Sequence, residues 1–125
     1  MNIKLGNLPN ILESMSNLLQ KEMPIKISYK LSKLNKKLVE EYQQFEESRK
    51  LLINKYALKD SEDNIVTQDN IVQFNQDNLV LFNDEFEELL NIEFEIDFEC
   101  IKIDDLGDIN ISPIDLMILE DFIVE

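Results

Sequence analysis

The sequence has no histidine, and only one cysteine, two glycines and three prolines occur among its 125 residues. Histidine is the usual general acid or base near neutral pH and a common zinc ligand, so its absence disfavours both roles. With only Gly6 and Gly107, the chain cannot form a glycine-rich phosphate-binding loop. We therefore predict that the protein is not an enzyme and that it holds no cofactor and no metal.

The lone cysteine and the lack of long apolar runs bear on location. Cys100 has no partner for a disulfide, which is typical of a reducing compartment, and we expect an inert thiol that is buried or half-buried. No apolar run approaches the roughly 18–20 residues that cross a bilayer. Near the N-terminus, Asn, Pro and Glu interrupt the stretch where a signal peptide would be apolar. The sequence thus predicts a cytoplasmic protein without membrane contact.

Charge is abundant but unevenly distributed. The apolar fraction of 44% is typical of a globular protein, so we expect the chain to fold although its net charge is −14. Residues 1–59 carry a net charge of +5 and residues 60–125 carry −19. The length suits one domain, and we expect residues 1–125 to form it, with a basic helical hairpin in 1–59 and an acidic α+β part in 60–125.

One long helix dominates the first half. The apolar spacing predicts a first helix from about Leu8 to Leu19, and a second helix from Pro24 to about Leu58 contains no glycine and no further proline. Apolar residues at intervals of seven mark one face of the second helix: Leu31, Leu38, Phe45 and Leu52. At about 50 Å, this helix is longer than a domain of this size is wide. Its apolar seam either packs inside the domain or joins two copies in a homo-oligomer.

Shorter elements fill the second half. Two Asp-Asn-Ile-Val units predict a β-hairpin that pairs residues 65–67 with 71–74. A helix capped by Asp77 should follow and run to about Asn91, and strict apolar–acidic alternation predicts a strand from Ile92 to Ile103. Ser112 and Pro113 begin a last helix that should reach Phe122. The fold class is α+β: a helical hairpin with one long central helix, a small antiparallel sheet and a short C-terminal helix.

Two rows of charged residues are candidate interaction surfaces. The basic row lies on one face of the long helix and comprises Lys26, Lys30, Lys33 and Lys37. The acidic row lies on one face of the predicted strand and comprises Glu93, Glu95, Asp97 and Glu99.

Each row has a structural and a functional interpretation. The lysines either form a solvated face, partly neutralised by the acidic half, or contact an acidic protein partner. Direct binding of nucleic acid or membrane is disfavoured because the −19 half would repel phosphates. The carboxylates either protect a strand edge from unwanted pairing or mimic a polyanion in another protein's phosphate-binding groove.

Four segments within residues 20–124 follow one another in a distinctive order: a long helix ending in KYALKD, the polar DNIV and NIVQF hairpin, FNDEFEELLNIEFEI, and ISPIDLMILEDFI. In this order they resemble a family of small uncharacterised proteins of phages and prophages of low-GC Gram-positive bacteria. The family has no assigned catalytic residues, so the resemblance implies a setting rather than a chemistry.

In that setting, small proteins without enzymatic signatures are usually virion components, assembly factors or inhibitors of host systems. We therefore expect a phage-encoded protein–protein interaction module, either a minor virion component or an assembly factor, in the cytoplasm of the infected host or on the virion. Its partner would be a phage structural protein or a host protein. The alternative is an acidic inhibitor, a polyanion mimic directed at a host defence or nucleic-acid-handling protein.

Overall fold

A computed structural model describes all residues from 1 to 125 and has the α+β fold expected from the sequence, with one long central helix. The helices are α1 (Leu8–Leu19), α2 (Ile25–Tyr56), α3 (Gln76–Leu90) and α4 (Pro113–Ile118), with short 3-10 turns at Leu5–Asn7 and Ile103–Leu106. The strands are β1 (Asn2–Lys4), β2 (Thr67–Gln68), β3 (Ile71–Val72), β4 (Glu93–Glu95), β5 (Ile101–Lys102) and β6 (Ile123–Val124). They form three two-stranded sheets, of which β1–β4 and β2–β3 are antiparallel and β5–β6 is parallel.

Two shorter helices, placed end to end, cover the long helix. The chain reverses after α1, which packs on the first half of α2. Helix α3 runs antiparallel to the second half: Asn78 donates a hydrogen bond to the Tyr56 carbonyl at 3.3 Å, and the rings of Phe45 and Phe86 are 6.3 Å apart. With 12 and 15 residues, α1 and α3 together nearly match the 32 residues of α2. The long helix therefore does not project from the domain.

Glycine permits the close packing where these helices meet. Gly6 lies in the turn before α1, and a Cβ at this position would be only 3.1 Å from the Leu90 carbonyl oxygen at the end of α3. Leu5 donates its N–H to Ile92 O at 2.9 Å beside this contact. The first residues of the chain are thus fixed to the end of α3, a strand contact that the sequence pattern did not predict.

The apolar seam of α2 is part of the core. Leu31, Leu38 and Phe45 are buried within the chain, and Leu52 is half-buried against the core. Of the two interpretations of the seam, packing inside the domain is the one observed. The physical reason is that α1 and α3 already supply the apolar partners that a second copy would otherwise provide.

The acidic half contains several differences from the predicted elements. The predicted strand from Ile92 to Ile103 is wrong as one element, because only Glu93–Glu95 and Ile101–Lys102 pair, and they pair with different strands. Cys100 lies between them and is exposed rather than buried; its thiol donates to the Asp121 carbonyl at 3.2 Å. Alternation shows an extended chain with one inner face, but it does not specify the strand's partner.

Helix ends also differ from the predictions. Asn75, not Asp77, caps α3, and its side-chain oxygen accepts a hydrogen bond from Asn78 N at 2.8 Å. The predicted hairpin is present but shorter, and its turn residues Asp69 and Asn70 both have positive φ angles, as the tight turns favoured in hairpins require. Helix α4 ends at Ile118 rather than Phe122, which leaves the last residues free to pair as β6.

Candidate functional site: a charged groove between helix and strand

The fold brings the basic row and most of the acidic row together. They face each other across a groove of about 690 Å³, which we call the charged groove. One wall is the first half of α2 and the other is the extended segment 95–99. The residues on the two walls are Lys26, Tyr29, Lys30, Lys33, Leu34, Lys37, Glu95, Ile96, Asp97, Phe98 and Glu99.

The basic wall follows from the periodicity of α2. Leu31, Leu34 and Leu38 face the core, so the lysines that alternate with them at spacings of three and four emerge along the border of the buried face. All four lysines of the row are exposed. Their long aliphatic stems can cover apolar surface while their ammonium groups stay in water.

The lysine charges have few partners within the chain. Lys37 pairs with Glu41 on its own helix at 3.1 Å, and the Lys33 ammonium lies 5.4 Å from the centre of the Tyr29 ring. No lysine of this wall comes within 4.0 Å of a carboxylate on the opposite wall. Most of the positive charge of the groove therefore remains available to a ligand.

The acidic wall is anchored by apolar residues that point inward. Ile96 is buried, and the half-buried Phe98 packs edge-on against Phe122 with ring centres 5.9 Å apart. The neighbouring side chains of Glu95 and Asp97 point outward and are exposed. The anchoring fixes an extended backbone beside α2 without using the carboxylates.

The backbone of this wall has one unoccupied edge. Ile96 donates its N–H to Met1 O at 2.9 Å and accepts a hydrogen bond from the N-terminal ammonium at 3.1 Å, which continues the pairing of β4 with β1. By the alternation of an antiparallel ladder, the backbone groups of Glu93 and Glu95 point away from β1. No strand pairs with β4 on that side, and the peptide groups of residues 97–99 form no backbone hydrogen bond within the chain.

The remaining predicted residues lie elsewhere. Glu93 is outside the groove, opposite Lys4 of β1 in the strand register. Leu31, Leu38 and Phe45 are core residues, so they are not accessible to another molecule in this fold. The sequence reasoning missed Tyr29 and Leu34 on the basic wall and Ile96 and Phe98 on the acidic one. Ile96 and Phe98 were visible as the inner positions of the alternation, whereas nothing in the sequence distinguishes Tyr29.

Two hydrogen-bonded clusters with charged side chains lie outside the groove. The Ser14 hydroxyl donates to Asp115 at 2.8 Å, which is the main cause of the lowered pKa of Asp115; the cap residue Ser112 and Asn17 contribute further. On α2, Arg49 donates to Glu46 at 2.8 Å, which lowers the pKa of Glu46 and raises that of Arg49. The first cluster links α1 to α4, and the second lies within α2.

No group of three or more Cys, Asp or Glu side chains is arranged to hold a metal ion. Among the helices, none combines the length and the apolar character needed to cross a membrane. Comparison with protein families, with curated proteins and with solved structures gives no match.

Proposed function

We propose that this protein is a non-catalytic protein–protein interaction module of a phage or prophage, a minor virion component or assembly factor, and that the charged groove is its contact surface. The observation that supports the proposal is the groove itself. It is open, three of its wall residues (Leu34, Ile96 and Phe98) are held in or against the core, and its lysines and carboxylates do not pair across it.

The arrangement of charge favours a protein over a polyanion. Three carboxylates, from Glu95, Asp97 and Glu99, stand on the wall opposite the lysines. Phosphates entering the groove would meet these groups and the excess negative charge of the molecule, which is −14. A protein segment can present both signs of charge, so it can satisfy both walls.

The phage setting is supported by the resemblance in segment order. The resembling segments form, in chain order, the long α2, the polar hairpin β2–β3, the following α3 and the short α4. A small protein from that setting that carries a binding groove fits an assembly or virion role.

The function can be tested by crosslinking from the groove. A photoreactive phenylalanine analogue replaces Tyr29, which is 62% exposed on the groove wall, or Ile114, which is 68% exposed on α4 and serves as the matched control. After illumination of phage-producing cells, we expect the first variant to crosslink to a particle or assembly protein and the second not to. K30E/K33E should abolish the crosslink, whereas K36E/K50E, which changes exposed lysines outside the groove, should retain it.

Two results would contradict the proposal. One is that purified particles and assembly intermediates lack the protein while deletion of its gene leaves particle yield and morphology intact. The other is a crosslink that persists unchanged in K30E/K33E.

A second candidate function is inhibition of a host nucleic-acid-handling or defence protein by polyanion mimicry. It is favoured by an exposed acidic cluster on α3, formed by Asp84, Glu87 and Glu88. Such an inhibitor should retain its target on a column at low salt, release it to free DNA, and lose it in E87K/E88K. Retention that DNA does not affect would exclude this function.

A further inference from the structure

We infer that the charged groove binds an extended peptide segment of alternating charge, which adds as a strand to the free edge of β4 and of residues 96–99. This inference rests on the proposed interaction function and specifies its ligand. Peptide addition to an exposed sheet edge draws affinity from main-chain hydrogen bonds and specificity from alternate side chains.

The groove runs along the backbone edge of the acidic wall, not over one face of it. Five consecutive residues, 95–99, line the groove, although successive side chains of an extended chain point to opposite faces. Only an edge brings both sets into contact with one groove. That edge is the one that points away from β1 and has no partner within the chain.

The two walls are similar in length. The lysines from Lys26 to Lys37 span eleven helical steps, or about 16 Å. Residues 95–99 span four steps, or about 13 Å when extended at roughly 3.3 Å per step. A bound strand of about five residues would therefore contact the helix and the strand edge over its whole length.

The side chains of the walls determine the ligand's charge pattern. An added strand would point alternate side chains to the side of Ile96 and Phe98, where α2 carries its lysines. Acidic groups there would meet ammonium ions, of which only that of Lys37 has a carboxylate partner. The intervening side chains would lie beside Glu95 and Asp97, where basic groups are favoured because like charges on neighbouring strands are destabilising. The ligand is thus acidic on the side of the helix and basic on the other side.

The same rule disfavours a second copy of this chain as the occupant. Pairing of β4 with its own copy would place Glu93, Glu95 and Asp97 beside one another without a basic residue between them. The free edge is therefore protected against self-association and open to a strand of complementary charge.

The test compares two blocked seven-residue peptides of the same composition. In one, glutamate and lysine alternate; in the other, the same residues stand in two blocks. We expect the full-length protein to bind the alternating peptide at least about tenfold more tightly, a difference of about 1.4 kcal/mol. Binding should protect the amides of Glu95 and Asp97 from hydrogen exchange, and K30E/K33E should abolish it while K36E/K50E retains it.

N-methylation separates strand addition from simple charge attraction. Methylating the peptide amides that would face the β4 edge should abolish binding, whereas methylating the alternate amides should leave it nearly unchanged. Equal binding of the two peptides, equal effects of the two methylation patterns, or dimers of this chain that protect the same amides would overturn the inference. If the crosslink from Tyr29 persists in any of these cases, the interaction function stands and only the ligand assignment fails.

Discussion

At the scale of single residues, the contact between Ser14 and Asp115 joins two distant parts of the chain. Ser14 is buried, with 1% of its surface exposed, and it is the only polar residue in the core. Its hydroxyl donates to Asp115, a residue 101 positions away whose backbone N–H is bound by the cap residue Ser112. The bond fixes α4 against α1.

We predict that Ser14→Ala raises the pKa of Asp115 toward its ordinary value, because the hydroxyl is the largest cause of its depression. Since the native pKa lies below the unfolded value of about 3.9, the unfolded chain takes up the proton first as the pH falls. The contribution to stability is therefore complete above about pH 5 and is lost as the pH drops through the native pKa.

The measurement is an NMR titration of the Asp115 carboxyl carbon together with melting curves from pH 7 to pH 2. The difference in melting temperature between wild type and Ser14→Ala should be largest near neutral pH and shrink in acid. Ser61→Ala, in the exposed loop before β2, is the matched control and should change neither quantity. A difference in melting temperature that grows as the pH falls would contradict the assignment.

Residue-level features differed in how far the sequence could predict them. The cap at Ser112, with Asp115 three positions later, could be predicted because capping depends on local spacing alone. The bond from Ser14 could not, because it depends on tertiary packing between α1 and α4. The exposure of Cys100 could not either, since the alternation that placed it on an inner face ends after Phe98.

At the scale of elements, α2 is stabilised by two helices that reach it from different parts of the sequence. Its burial is confined to one stripe, and the outer positions of the same helix, such as Leu51, remain exposed. The sequence predicted this stripe correctly because a period of seven over 32 residues is a strong pattern. What covers the stripe could not be predicted, because an apolar seam is the same whether its partner is α1, α3 or another chain.

We predict that Leu38→Ala lowers the free energy of unfolding by about 2–5 kcal/mol, as expected for a buried leucine replaced by alanine. Leu38 has no exposed surface, whereas Leu51 is 70% exposed, so Leu51→Ala should change stability by less than about 0.5 kcal/mol. Urea unfolding followed by circular dichroism gives both values.

The same experiment tests whether the seam is internal. Because Leu38 is buried in the core of one chain, the decrease in the free energy of unfolding caused by Leu38→Ala should be independent of protein concentration. A midpoint that shifts with concentration in wild type and not in Leu38→Ala would show that the seam joins copies of the chain.

The short strands of the acidic half show where pattern reasoning ends. Alternation identified the inner face of residues 94–98 correctly, as the burial of Ile96 shows. It could not reveal that β4 pairs with the N-terminal β1 and leaves its other edge free, because strand pairing is a long-range contact. The candidate site lies on that edge, so both charged rows were predictable but the groove between them was not.

At the scale of the whole molecule, the net charge of −14 acts on every charged position, while helix ends act only nearby. Helix α3 allows the two effects to be separated. It carries Asp77 in its first turn, where the helix dipole favours negative charge, and Glu87 near its last turn, which contains no basic residue.

We predict opposite local effects from two substitutions that change the net charge equally. Glu87→Lys should stabilise the protein through the helix dipole by about 0.3–1 kcal/mol at low ionic strength, and Asp77→Lys should destabilise it by a similar amount. Both substitutions reduce the overall repulsion by the same change in net charge, so each gains the same stabilising contribution from it. Half the difference between the two changes therefore measures the effect of the helix ends, and their mean measures that of the net charge.

Melting temperatures at about 20 mM and about 1 M NaCl provide the measurement, since salt shortens the screening length from tens of ångströms to about 3 Å. The effects of the helix ends and of the net charge should both fall at high salt. The wild type itself should melt at a higher temperature there, because salt screens the repulsion among its excess negative charges. Its three ion pairs are all at least partly exposed, so their loss at high salt costs little. If both variants were stabilised equally, the helix ends would have no measurable effect. The opposite result, a wild type that melts at a lower temperature in high salt, would mean that attraction between the basic and acidic halves outweighs the net repulsion. In that case the lysines of the charged groove would contribute to the stability of the fold while remaining open to a ligand.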